Sequence, residues 1–226
     1  LLRIVIVGGG FAGVETAGEL NDFISDISEY YPSIDENDVK VTLIEATTEI
    51  LNGFPQKLAS FAKDKLVERG INVILDAGVT SFDGKEVLLK SSSKSNKVLL
   101  SDSSQQKGHF QLVKINSISS RTLVWTAGVT PIDLIKESLF QTHKGRIIVN
   151  EYLQVPQFPE VFAIGDCSIF DPALSMKAFP PTAQIAEAHA KTAANNLKEL
   201  VRGGEMTKFD YSWKGQSAII GKRTGI

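Results

Sequence analysis

The 226-residue sequence has one cysteine, Cys167, and three histidines. A single thiol excludes an internal disulfide and a C-x-x-C redox pair. Cys167 therefore reads as a packed thiol and not a redox centre, because exchange needs a second sulfur. No Cys, His and Asp cluster has the spacing of a metal site. His109 and His143 stand in polar, loop-like surroundings and read as solvated. His189, inside a helical stretch, reads as a surface histidine and not a proton donor. No apolar run reaches the roughly 18 residues of a membrane span, and no signal peptide is visible. Neither charge sign is in excess: 24 Lys and Arg against 26 Asp and Glu give a net charge of −2. A nucleic-acid footprint is therefore not expected. The chain opens on a core strand with no initiator Met and ends just after a strand-like run. It reads as a piece of a larger protein.

What is present begins at once. Leu2–Val7 is an apolar run of strand character, followed by Gly8, Gly9, Gly10, Phe11, Ala12 and Gly13. The glycines have G-x-G-x-x-G spacing between a strand and a helix, the context a dinucleotide requires. Gly8 permits the sharp turn, Gly10 lets backbone approach a pyrophosphate, and Gly13 lets the helix pack on the strand. The helix start then presents free N–H groups and a positive dipole end to the phosphates. The pattern predicts a helix over residues 13–30, a polar loop over 31–38 and a second strand over Val39–Ile44. Glu45 stands at that strand's end, where an acidic residue accepts hydrogen bonds from the adenosine ribose hydroxyls. Neither Arg nor Lys lies between Ala46 and Gln56 to hold a 2′-phosphate, which favours NAD(H) over NADP(H).

Residues 55–69 read as a helix capped by Gly70, and residues 71–75 as a third parallel strand. A hairpin over 79–82 and 85–89 turns at Asp83-Gly84. Residues 91–106 are serine-rich and read as a surface loop with a short strand over 98–100. Thr122–Trp125 reads as a buried strand returning to the sheet, with Trp125 in the core. Beyond Pro131, short strands are expected over 147–149, 153–155 and 161–164, the last ending in Gly165-Asp166-Cys167. Thr182 reads as the N-cap of a helix over 183–201, which would pack through a small face at Ala186, Ala190, Ala193, Leu197 and Val201. Gly203-Gly204 would end it, and residues 217–220 would form a last strand.

Five stretches, GGGFAGVE, VTLIE, VWTAGVTP, VFAIGDCS and PPTAQIAEA, together resemble the two-dinucleotide-binding-domain flavoproteins. Among these the sequence is most similar to the type II NADH:quinone oxidoreductases. The resemblance covers nearly the whole chain apart from residues 91–120. It implies an α/β fold: a Rossmann-like parallel sheet with helices and a β-meander, plus part of a second, FAD-binding α/β domain. It implies an NAD(H)-binding domain over 1–130, the second part of an FAD domain over 131–210, and the start of a C-terminal region over 211–226. By resemblance Glu15 reaches toward the nicotinamide, and Ala127 and Gly128 line the other side of that site. Gly165 and Asp166 match the segment that bonds the ribityl chain of FAD. Ala183 and Gln184 match a pair near the flavin ring and quinone, at a helix start whose positive end favours charge on the reduced flavin. Ala46 and Val79 complete the expected cofactor contacts. Glu15 and Gln184 are the expected catalytic residues.

The implied cofactors are FAD and NAD(H), and the implied partners are NADH and a quinone. Membrane association would run through a C-terminal region, with a cytoplasmic, membrane-peripheral location; a homodimer is compatible. One position departs from the family pattern: a second glutamine often follows four residues after the first, and here it is Ala188. Two alternatives stay open. One is another NAD(P)H-dependent flavoprotein, of ferredoxin reductase or NADH oxidase type. The other is a non-enzymatic NADH-binding domain.

Overall fold

The computed structural model describes residues 2–34, 38–91, 96–100, 109–113, 115–170, 179–212 and 214–226. They form two compact units, Leu1–Gly128 with Gln216–Ile226, and Val129–Gly215.

In the first unit the elements are β1 (Leu2–Val7), α1 (Phe11–Ile27), β2 (Val39–Ile44), α2 (Gln56–Glu68) and β3 (Asn72–Leu75). They continue as β4 (Ala77–Phe82), β5 (Glu86–Ser91), β6 (Asn96–Leu100), β7 (His109–Val113), β8 (Ser117–Ser119) and β9 (Thr122–Trp125). β1 pairs in parallel with β2, and β2 with β3, so each connection needs a crossover, which α1 and α2 supply. β9 returns parallel to β1, with Val7 opposite Trp125. The main sheet has the order β7-β6-β3-β2-β1-β9, and β4, β5 and β8 form a separate antiparallel sheet.

Strand alternation sends the side chains to two cores. Ile6, Val41, Leu43, Val73 and Leu75 meet Val14 and Ala17 of α1 and Ala59, Ala62 and Leu66 of α2. Val5, Val7, Ile44 and Ile74 meet Ala77, Val87 and Ile118 of the antiparallel sheet. Burial on both faces fits the mostly apolar run of β1.

The structure revises several expectations. α1 begins at Phe11 with Gly10 at its N-cap, and a 3-10 turn over Ser28–Tyr30 follows it. The short strand expected over 98–100 is present as part of β6, which pairs antiparallel with β3 and extends the main sheet; residues 92–95 and 101–108 lie outside those described. β7 and β8 were not expected. Their pattern is short and interrupted; β7 pairs with the neighbouring β6, and β8 pairs with β5 some 30 residues earlier. β9 lies at a sheet edge and is only half-buried. Residues 217–220 form no sheet strand; one bridge joins Ile219 to Gly225. Ala218 and Ile220 are buried in the core beneath α1, and a Cβ on Gly18 would come within 2.6 Å of Gly221 N.

The second unit holds α3 (Asp133–Lys136), β10 (Thr142–His143), β11 (Arg146–Val149), β12 (Gln154–Val155), β13 (Phe158–Phe162), β14 (Ser168–Phe170) and α4 (Ala183–Arg202). β10, β11 and β14 form one sheet, and β12 and β13 pair antiparallel. Its core gathers Val149, Leu153, Val155, Phe170, Ala193 and Phe209. The Thr182 hydroxyl accepts the Ile185 N–H at 3.4 Å, and Gly203 ends α4 with φ +71°. The buried face of α4 is Ile185, His189, Ala193 and Asn196, whereas Ala190, Leu197 and Val201 are exposed. Alanines on several faces made the sequence pattern ambiguous, and buried polar residues with local partners decided it. Asn196 Nδ2 donates to the carbonyls of Tyr152 and Thr207, and its Oδ1 accepts the Thr207 N–H at 2.8 Å.

Candidate functional site

The first candidate site lies at the carboxyl ends of β1 and β2. Gly8 has φ +106°, and a Cβ there would stand 2.8 Å from Ala127 N. A Cβ on Gly13 would stand 1.8 Å from the Gly8 carbonyl oxygen. These two glycines are therefore required by the packing of β1, α1 and the segment after β9. Gly10 differs: a Cβ there would meet nothing within 4 Å. Its side of the turn is open, and the N–H groups of Phe11, Ala12 and Gly13 begin a helix that offers them no acceptors of its own. Thr126 fastens the turn from below, its hydroxyl donating to the carbonyl of Val7 at 2.8 Å.

Glu45 closes the same site. Its carboxylate accepts the Gly9 N–H at 2.6 Å and the Thr47 N–H at 2.8 Å. Both oxygens are held before any ligand arrives, and each keeps a lone pair for a further donor. Ala46 beside it is exposed. Glu15, half-buried on α1, accepts the Ile219 N–H at 3.2 Å, so its carboxylate leans on the C-terminal segment. Ala127 packs against the core between the sheet and β4–β5, and Gly128 is exposed with φ +77°. Val79 packs into that same core through its side chain. Trp125, read as core, is 58% exposed, and its indole N–H donates to the Ala127 carbonyl at 2.7 Å. An edge strand leaves that face without a neighbour.

The second candidate site is the 3-10 turn Gly165–Cys167. Gly165 has φ +68° and lies under Ala186 of α4. Arg146 Nε donates to the Asp166 carbonyl at 3.0 Å, and the Ser168 hydroxyl donates to the Gly165 carbonyl at 3.0 Å. The turn's backbone is thus occupied while the Asp166 side chain stays exposed. The Cys167 thiol is half-buried and donates to the Ile164 carbonyl. At the start of α4, Ala183 and Gln184 are exposed, and Gln184 Oε1 accepts the Tyr211 hydroxyl at 2.8 Å.

His189 is not a surface residue. It is 3% exposed, and its Nδ1 accepts the Gly165 N–H at 3.1 Å. Burial, and then the charge of Arg146, pushes its pKa down to about 4. Its place in the fold was available from the sequence only through spacing, four residues after Ile185 and four before Ala193. His143 is half-buried on β10. The backbone of His109 lies in β7, but its side chain is outside the described residues. Among the described residues no His, Cys, Asp and Glu group has metal-binding geometry, and no helix is long and apolar enough to cross a membrane.

The sequence pattern of the pyridine nucleotide-disulphide oxidoreductases matches residues 2–190. Type II NADH:quinone oxidoreductases of Staphylococcus saprophyticus and Staphylococcus aureus are each 30% identical over 225 residues. The alignment takes in 100% of this chain and 51% of theirs, so the chain spans about half the length of these curated relatives. NDH2 of Plasmodium falciparum, solved in complex with NADH, superposes with a TM-score of 0.82 at 22% identity, over 99% of this chain and 57% of that one. A ferredoxin reductase of Rhodopseudomonas palustris gives 0.63 at 20% identity, over 92% and 43%. These two likenesses are of fold. The family pattern runs through both turns described above, and the chain belongs to the pyridine nucleotide-disulphide oxidoreductase family.

Proposed function

We propose that this chain contributes the NADH-binding unit and part of the FAD-binding unit of an enzyme that passes a hydride from NADH to FAD and then electrons to a quinone. The observation that carries the reading is the first turn. Two glycines are demanded by packing, Gly10 is left open, and an oriented carboxylate stands beside them. An open glycine at a helix start fits a pyrophosphate, since backbone N–H groups can approach the anion without a side chain between. Glu45, with lone pairs free, fits a ribose diol and opposes a 2′-phosphate.

In the second unit, Asp166 fits a polyol chain: an exposed carboxylate on a fixed turn can accept from two hydroxyls. The first N–H groups of α4 fit a carbonyl that gains charge on reduction. FAD, when bound, supplies the electron-accepting chemistry. The chain's own residues bind and orient. Glu15 would hold the nicotinamide end of NADH, and Gln184 would present its amide, steadied by Tyr211, toward the flavin and quinone. Ala188 stands where the quinone reductases often carry a second glutamine. A ferredoxin or oxygen acceptor is the second reading that this position favours. Peripheral attachment to the cytoplasmic face of a membrane, through a C-terminal region, would follow from a lipid-soluble acceptor.

Calorimetry with NADH and NADPH tests the first part. Tighter NADH binding supports it, and equal or tighter NADPH binding overturns the Glu45 assignment. NADH oxidation by the intact protein, compared with a soluble quinone, a ferredoxin and oxygen as acceptors, tests the second part.

A further inference from the structure

The turn that carries Asp166 has an inner side that neither the sequence nor the proposed flavin contacts account for. Its first N–H, that of Gly165, points into the unit and ends on a histidine ring. His189 lies on the buried face of α4, one turn after Ala186, which covers Gly165. Its Nδ1 is 3.1 Å from Gly165 N. An imidazole nitrogen accepts a hydrogen bond only when it carries no proton, so the ring is neutral and its proton sits on Nε2. Nε2 has no hydrogen-bond partner among the described residues. The ring is wedged edge-on against Phe209, with centroids 4.5 Å apart, and Phe170, at 5.7 Å.

This arrangement is costly for a polar side chain, since a buried unpaired N–H loses its water without compensation. An aliphatic residue would fill the space without that loss. The feature the histidine adds is an acceptor for Gly165. The left-handed turn leaves that N–H directed inward, out of reach of a strand partner.

We propose that His189 is a positioning residue for the Gly165–Asp166 turn: its neutral ring ties the turn to α4 and so fixes the Asp166 carboxylate relative to the N-terminus of that helix. The two groups so linked are those proposed to meet the flavin, so the inference rests on that reading. Three further groups hold the turn. Arg146 and Ser168 act on its carbonyls, and Ala186 acts by contact. His189 holds an N–H, which none of these three does.

The test uses His189→Phe, which keeps a ring among Phe170 and Phe209 but has no acceptor, and His189→Asn, whose Oδ1 can reach the position of Nδ1. Amide hydrogen exchange at Gly165 is measured by NMR, and FAD affinity by quenching of flavin fluorescence. His189→Leu replaces the phenylalanine variant if that one does not fold, judged by circular dichroism. With the acceptor gone, exchange at Gly165 should rise, and FAD affinity should fall, by roughly tenfold each. The asparagine variant should restore much of both. Unchanged exchange in the acceptor-less variant overturns the positioning role. Measured on the intact protein, faster exchange with unchanged FAD affinity, or no FAD binding by the wild type, overturns the reading of Asp166 as a flavin contact.

Discussion

The turn over Gly8–Gly13 is shaped by its own glycines and braced by Glu45 and Thr126. Gly8 and Gly13 are excluded from carrying a Cβ by main-chain atoms, and the Glu45 carboxylate takes the Gly9 N–H. The turn over Gly165–Cys167 is held by side chains that arrive from elsewhere: Arg146 from β11 and His189 from α4. Both turns present a carboxylate beside a helix start. The first is marked by its own glycine spacing, although Glu45 and Thr126 reach it from 36 and 118 residues away. The second depends on Arg146 and His189, 20 and 24 residues from their partners, whose types alone do not reveal their use. A turn spelled out by glycine spacing is therefore easy to find, and the remote side chains that brace either turn are easy to miss.

Five substitutions probe that contrast, beginning with the largest expected effect. Gly13→Ala should destabilise the protein by roughly 3–5 kcal/mol, because the new methyl meets the Gly8 carbonyl within a packed strand–helix contact. Gly10→Ala should leave the melting temperature nearly unchanged and weaken NADH binding only. Equal thermal losses in the two variants would break the distinction between a packing glycine and a ligand-facing one.

The second effect is one of pH. His189 is depressed to about 4 from its ordinary 6.5, so the unfolded chain binds more protons between those values. The contribution is therefore complete above pH 6.5 and is lost as pH falls toward 4, on the order of 3 kcal/mol. Arg146 acts in the same sense by repelling the charged ring. Urea unfolding at a series of pH values should show this loss in the wild type and a flatter profile in His189→Phe. Parallel profiles would show that the ring is not the titrating group.

A smaller effect is expected at Glu45. Glu45→Gln should narrow the preference for NADH over NADPH by roughly tenfold, about 1.4 kcal/mol, as the repulsion of a 2′-phosphate is removed. Calorimetry with both nucleotides measures it, and an unchanged ratio would leave Glu45 a purely structural brace for Gly9 and Thr47. The smallest effect belongs to Thr182→Ala, at about 0.5–1 kcal/mol, since the capping bond is long at 3.4 Å. A shift in melting temperature above that range would mean that Thr182 holds more than the helix end.

Much of the first unit was legible from residues alone. The apolar runs of β1 and β2, the glycine spacing and the absence of cations after Glu45 lie within short windows, and physical rules act on short windows directly. The misreadings share a cause. The strand expected over 98–100 is β6, but its place in the main sheet is not legible because its partner, β3, is more than 20 residues away and its flanks are polar. Trp125 was placed in the core because an edge strand and a central strand carry the same local pattern. His189 was placed at the surface because an alanine-rich helix offers several apolar faces.

The sequence by itself determined that a glycine-rich strand–turn–helix opens the chain, that a carboxylate with no cation between Ala46 and Gln56 ends the second strand, and where the capped helix α4 begins and ends. These depend on backbone sterics, charge sign and capping, which act between neighbours. The tertiary structure alone decided that Glu45 is already bonded to Gly9, that Ile219 reaches Glu15, and that a neutral histidine carries the Asp166 turn. Those choices pair atoms far apart in the chain, and only burial, which makes an unpaired polar group costly, fixes which pairs form.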